Sequence, residues 1–88
     1  PRAPLNAVDR FYGSGVYAIY YTGDFHAYQP ISGTETPIYV GKADPQTDNA
    51  KRPIEQGEKL SGRLKDHRRN IMKADNISID DFEYRSLV

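Results

Sequence analysis

The stretch Gly-Val-Tyr-Ala-Ile-Tyr-Tyr at residues 15–21 decides the fold of this chain. β-Branched and aromatic residues dominate it, and seven residues is an ordinary strand length, so it predicts a β-strand. Because alternate side chains of a strand point to opposite faces, this strand presents two different sets of side chains. One set is Val16, Ala18 and Tyr20, and the other is Tyr17, Ile19 and Tyr21.

Two further segments predict strands that can pair with residues 15–21. Residues 38–43, Ile-Tyr-Val-Gly-Lys-Ala, form a short run of strand-forming character. Residues 82–88 alternate between two faces as a third strand. The connection over residues 22–37 contains two glycines and two prolines and is too long for a tight hairpin.

The segment between the second and third strands predicts a loop followed by a helix. Residues 44–58 are polar, contain two prolines and show no regular period, which is typical of a loop. The helix is predicted to begin between Gly57 and Gly62 and to end near Lys73. Its apolar stripe has the spacing i, i+4, i+7 and i+11 and consists of Leu60, Leu64, His67 and Ile71.

The resulting β-β-α-β order predicts an α+β fold, a small three-stranded antiparallel sheet with one flanking helix. We expect residues 1–14 to form an N-terminal arm and residues 15–88 to form one domain. The core is modest, because a chain of this size buries only ~60–65% of its unfolded surface. The sequence starts with proline and stops within the third strand, so we expect a C-terminally incomplete piece of a longer protein.

Composition excludes several classes of protein. The chain has no cysteine, which excludes disulfides and thiolate zinc sites. No segment approaches the ~20 apolar residues of a membrane span, so a cytoplasmic setting without a membrane partner is expected by default.

The charge of the chain is concentrated in one segment. The net charge is zero, but residues 51–73 carry eight Lys or Arg residues against three acids. A focused basic segment is typical of contact with phosphate groups. A solvated helix face with partial i,i+4 pairing explains the charge alone equally well.

His67 stands in the apolar stripe of the predicted helix, where leucine would pack at lower cost. It is either a core histidine with a satisfied hydrogen bond or a functional residue. Arg63 lies one turn earlier on the flank of the same stripe, and burying a guanidinium costs several kcal/mol unless an anion meets it. The pair therefore implies a bound anion or an open cleft, and phosphate matches the guanidinium fork.

Spacing alone favours a packing role for the tyrosines, because aromatic residues are common in strands. Gly41, directly after Tyr39, is more informative, since a strand glycine often marks a bulge or the close approach of a ligand. Lys42 beside it is either a phosphate contact or a solvated lysine at the end of a strand. His26 has no partner in the sequence and is predicted to lie at the surface.

Together these motifs resemble the GIY-YIG nuclease superfamily. The residues that carry the likeness are Gly15-Val16-Tyr17, then Tyr39-Val40-Gly41, then Arg63 and His67 four apart on the first helix. In detail, the segments look most like those of type II restriction endonucleases, over residues 15–88. The resemblance implies a three-stranded antiparallel sheet flanked by helices and a DNA hydrolase that uses one divalent metal ion, taken as Mg²⁺.

The resemblance also implies roles for individual residues. Tyr17 would be the general base or its relay to the attacking water, and Tyr39 would donate a hydrogen bond at the active centre. Arg63 would hold the scissile phosphate, and His67 would orient or help deprotonate Tyr17. Further phosphate contacts would come from Lys42, Arg68 and Arg69. A phenol with a pKa near ~10 is a poor base at neutral pH, so cations that favour the phenolate are expected around it.

The chain departs from the family pattern in two ways. Valine replaces isoleucine at Val16 and Val40, which is conservative for strand packing. The metal-binding glutamate of the family lies on a helix after the third strand and is therefore expected beyond Val88, with an asparagine following it. We expect no metal ligand within this chain and no DNA cleavage by the chain alone.

The substrate implied by the resemblance is double-stranded DNA, cut at a palindromic site by a homodimer in the bacterial cytoplasm. Residues 22–37 and 44–58 are predicted to reach the DNA. Two alternatives stay open at this point. One is a noncatalytic DNA-binding module with the same fold, and the other is a structural domain whose tyrosines only pack.

Overall fold

A computed structural model describes residues 1–45 and 51–88. Its strands are β1 (Ala3–Pro4), β2 (Gly15–Tyr21), β3 (Tyr39–Ala43) and β4 (Phe82–Leu87), and its α-helices are α1 (Pro53–Gln56) and α2 (Lys59–Met72). Short 3-10 helices cover Leu5–Ala7, His26–Ile31 and Ile79–Asp81. The strands and the helix predicted around residues 15–21, 38–43, 82–88 and 60–71 are thus confirmed to within one or two residues at each end.

The sheet has four antiparallel strands in the order β1-β4-β2-β3, so the prediction of three strands was wrong by one. The additional strand is β1, in which Ala3 pairs with Tyr84 and Pro4 pairs with Glu83. Two residues are too few to show the alternation by which a strand is recognised in a sequence. Proline, which has no N–H to donate, is tolerated here because β1 is an edge strand.

The predicted loop over residues 44–58 is also wrong in part, because it contains α1. This helix is a single turn that begins at Pro53, whose fixed φ suits the first helical position. A single turn is too short to produce a helical period in the sequence. Residues 46–50, in the middle of the predicted loop, lie outside the described residues.

The core lies between α2 and one face of the sheet. Tyr17, Ile19 and Tyr21 of β2 point toward α2 and are each at most 2% exposed. From α2, Leu60 and Leu64 are fully buried, as the stripe predicts. The remaining core residues are Leu5, Val8, Ala43 and Phe82. On the opposite face, Tyr20 is covered by Arg2, whose guanidinium carbon lies 3.8 Å from the ring centroid.

The segment predicted as an N-terminal arm is packed onto the domain and holds the start of α2. The Leu60 N–H donates to the Gly13 carbonyl at 3.0 Å. The buried Ser61 hydroxyl donates to the Phe11 carbonyl at 3.0 Å and accepts from the Phe11 N–H at 3.1 Å. The first of these bonds satisfies a backbone N–H at the start of α2, where the N-cap residue Glu58 supplies no side-chain bond. The arm therefore contributes to the position of the helix that carries Arg63 and His67.

Candidate active site

Three aromatic rings from three elements meet at the edge of the core. The hydroxyl oxygen of Tyr17, on β2, lies 2.8 Å from Nε2 of His67, on α2, in a hydrogen bond. The ring of Tyr39, on β3, lies 4.5 Å from the His67 ring and 6.0 Å from the Tyr17 ring, centroid to centroid. The structure thus brings together three of the four residues predicted to be catalytic.

Gly41 allows this arrangement, because it is the residue of β3 that pairs with Tyr17. A Cβ atom at this position would lie 2.5 Å from the Tyr17 hydroxyl oxygen and 2.6 Å from the ring carbon that bears it. The phenol therefore passes directly over the glycine. Of the two features that a strand glycine often marks, the bulge is absent, because β2 and β3 pair in continuous register, and a close approach to Gly41 is made by Tyr17.

The four predicted catalytic residues differ in their exposure. Tyr17 is 2% exposed and belongs to the core, whereas Tyr39 is 45% exposed. His67 is half-buried, and Arg63 is exposed. Since Arg63 is not buried, the structure favours an open cleft over an enclosed anion site. Tyr17 packs in the core, as spacing alone favours, and its hydroxyl also bonds the half-buried His67.

Both partners of the central hydrogen bond are shifted toward their neutral forms. Burial raises the pKa of Tyr17, and Tyr39 beside it acts in the same direction, while Arg63 lowers this pKa. Burial also lowers the pKa of His67, helped by the charge of Arg63 and opposed by Asp66. Arg63 thus acts in the direction expected of a nearby cation, but burial has the larger effect on the pKa of Tyr17. At neutral pH the pair carries one phenolic proton and one neutral imidazole.

The lowered pKa of His67 predicts a pH dependence of stability. Between that pKa and the unfolded value near ~6.5, the unfolded chain binds more protons, so the free energy of unfolding falls as the pH falls through this range. Urea unfolding at pH 7.5 and 5.5 measures the effect, and His67→Gln should reduce the difference between the two midpoints. His26→Gln, at an exposed position of a 3-10 helix, is the matched control and should leave the difference between the two midpoints unchanged. An unchanged difference in His67→Gln would contradict the prediction.

Arg63 lies between two adjoining depressions of the surface. The larger is a groove of about 420 Å³, and the smaller is a recess of about 270 Å³. The groove is lined by Lys42, Ala43, Asp44, Pro45, Lys59 and Arg63. The recess is lined by Tyr39, Arg63, Asp66, His67 and Asn70. Sequence reasoning missed Lys59, Asp66 and Asn70; only the basic character of residues 51–73 pointed to Lys59.

The three further residues predicted to contact phosphate lie in different parts of the structure. Lys42 lines the groove and is 75% exposed, with its Nζ 3.6 Å from an Asp44 carboxylate oxygen. Arg68 donates to the backbone carbonyls of Asn6 at 3.3 Å and Val8 at 3.2 Å, and so points to the N-terminal arm. Arg69 pairs with Asp66 at 3.1 Å on the surface of α2. The structure thus brings Lys42 next to Arg63 and leaves Arg68 and Arg69 outside the aromatic cluster.

The part of the chain that the structure describes does not by itself offer a metal site. Across residues 1–45 and 51–88, no group of three or more His, Asp or Glu side chains converges on one point. Within the same residues, no helix has the length and the apolar character needed to cross a bilayer.

A buried tyrosine bonded to a histidine, with an arginine one helical turn before that histidine, is the arrangement that the resemblance to GIY-YIG nucleases implies. A scan of protein-family models matches residues 9–88 to the Eco29kI GIY-YIG domain. The chain belongs to this family and is a nuclease domain of the restriction endonuclease kind. The match starts six residues before the predicted boundary at residue 15. A search of curated proteins gives no significant match.

Proposed function

We propose that this chain is the catalytic domain of a type II restriction endonuclease that hydrolyses DNA at a specific palindromic duplex site in the bacterial cytoplasm. The observation that carries the proposal is the 2.8 Å hydrogen bond between the Tyr17 hydroxyl and His67 Nε2, beside the exposed Arg63. The full-length protein acts as a homodimer, since a palindromic site presents each half to one subunit.

The proton path follows from the protonation states of the pair. The phenol of Tyr17 is protonated at neutral pH, because its pKa is raised by burial. It can accept a proton from the attacking water only as it passes its own proton to a base. The neutral Nε2 of His67 is that base, because the lowered pKa of His67 keeps the imidazole free of a second proton. Tyr17 therefore acts as a relay, and His67 takes up the proton.

Arg63 supplies the electrostatic part of the reaction. Its guanidinium is always protonated, and its planar fork matches two oxygens of one phosphate. It lines both the recess that contains His67 and the adjoining groove, so a phosphate bound there lies beside the proton relay. When water attacks phosphorus, the extra negative charge of the pentacovalent transition state is stabilised by this group.

A divalent metal ion, Mg²⁺, is part of the proposal because nucleases of this family typically use one. Such an ion would supply positive charge that stabilises a leaving oxygen. The described residues supply no ligand set for it, so we propose a glutamate beyond Val88 as its ligand. The proton relay and the arginine contact do not depend on this assignment.

The test compares the 88-residue chain with the natural protein that contains it. With Mg²⁺, the longer protein should cut plasmid DNA into discrete fragments, whereas the chain alone should bind duplex DNA without cutting it. A gel assay for cleavage and fluorescence anisotropy for binding measure the two properties. A noncatalytic DNA-binding module would bind and never cut, and a purely structural domain would show no salt-dependent binding. Nicking by the chain alone that Tyr17→Phe abolishes would contradict its predicted inactivity.

A further inference from the structure

We infer that the groove beside the active site binds a second phosphate of the cleaved DNA strand and that Lys59 is its principal contact. The inference rests on the proposed function, because it assumes that a DNA strand passes over Arg63. The groove lies between the end of β3 and the start of α2, and Arg63 separates it from the recess that contains His67. A strand held by Arg63 can therefore continue into it.

The charges of the groove favour an anion. Three of its six lining residues are the cations Lys42, Lys59 and Arg63, against the single carboxylate of Asp44. That carboxylate pairs with Lys42 at 3.6 Å, and both side chains are more than 70% exposed, so the pair contributes little. Clustered like charges with low-dielectric walls raise the local concentration of the opposite charge.

Lys59 is available for such a contact. Among residues 1–45 and 51–88, it forms no ion pair. The two acidic residues that precede it most closely in the sequence lie beside arginines instead. Glu58 lies 4.0 Å from Arg10, and Glu55 lies 2.7 Å from Arg52. Its side chain is exposed at the first position of α2.

The spacing of Lys59 and Arg63 suits consecutive phosphates. They stand at i and i+4 on one face of α2, about 6 Å apart along the helix axis. Each nucleotide advances a DNA strand by ~3.4 Å along the duplex axis. With Arg63 on the scissile phosphate, the Lys59 ammonium reaches a phosphate one or two nucleotides away.

The test measures binding of the 88-residue chain to duplex DNA by fluorescence anisotropy, at salt concentrations between about 50 and 200 mM. Lys59→Ala should weaken binding several-fold and reduce the slope of log Kobs against log salt by about 0.9, the value for one phosphate contact. Lys59→Arg should restore both, since it keeps the positive charge.

Lys73→Ala is the matched control. Lys73 is exposed and follows the last residue of α2, about 21 Å from Lys59 along the helix. This variant should keep the salt slope of the parent chain. Equal slopes for Lys59→Ala and Lys73→Ala, with the parent chain binding DNA, would overturn the inference alone. If the parent chain binds no duplex DNA, the proposed function and this inference both fail.

Discussion

Gly41→Ala is expected to destabilise the domain by about 1–3 kcal/mol and to break the hydrogen bond between Tyr17 and His67. The added methyl would lie 2.5 Å from the Tyr17 hydroxyl oxygen, closer than carbon and oxygen atoms approach without a bond. Tyr17 is 2% exposed and sits in the core, so its ring cannot move aside without disturbing its neighbours. Urea unfolding at neutral pH measures the loss.

Gly62→Ala is the control for this prediction, and its effect has the opposite sign. Gly62 lies inside α2, and an added Cβ would meet no atom within 4 Å. Alanine is favoured over glycine in a helix interior by up to ~1 kcal/mol, so this variant should be stabilised by roughly that amount. The two variants add the same methyl group to the same protein. A urea midpoint of Gly41→Ala equal to or above that of the parent chain would contradict the close packing of Tyr17 on Gly41.

Tyr17→Phe is expected to reduce DNA cleavage by the full-length protein by about 10²–10⁴-fold, the usual contribution of a positioned acid–base group. The substitution removes the hydroxyl that, in the proposed mechanism, accepts the proton of water and passes its own proton to His67. It leaves the ring in the core, and its effect on folding is limited to the lost hydrogen bond, about 1 kcal/mol. Cleavage rates under single-turnover conditions, with DNA binding measured in parallel, separate the two effects.

The matched control is Tyr20→Phe, three residues further along the same strand. Tyr20 points to the opposite face of β2, where the Arg2 guanidinium covers its ring. Removing this hydroxyl leaves the proton relay intact, so cleavage should stay close to that of the parent protein. Full activity of Tyr17→Phe would exclude Tyr17 as the relay, whereas equal losses in both variants would indicate a general effect on folding.

Much of the fold follows from the sequence, because local patterns record which residues face the core. The alternation over residues 15–21 separated Tyr17, Ile19 and Tyr21 from the other face of the strand, and the structure buries this set in the core. The stripe at i, i+4, i+7 and i+11 predicted α2 and placed His67 on its inner side. Both patterns depend only on residues within one element, where 2.0- and 3.6-residue periods are visible.

The members of the site were predictable only in part. Arg63 and His67 stand out because an arginine and a histidine are costly beside an apolar stripe. The tyrosines acquired roles through the family resemblance, since seven tyrosines in this chain give spacing little power to choose among them. Lys59 was missed, because its place beside Lys42 depends on the packing of the start of α2 next to the end of β3.

What the sequence by itself determined are the elements β2, β3, β4 and α2, the nuclease family, and the prominence of Arg63 and His67 on the helix. The tertiary structure decided which of these residues touch, in what protonation state, and which cations face the groove. Tyr17 and His67 are 50 residues apart in the chain, and the pKa of each depends on burial that exists only after α2 packs on the sheet. The direction of Arg68, toward the carbonyls of the arm, likewise depends on a contact across 60 residues. Patterns within one element do not predict such contacts, because a contact between two remote segments does not change the spacing of apolar residues in either segment.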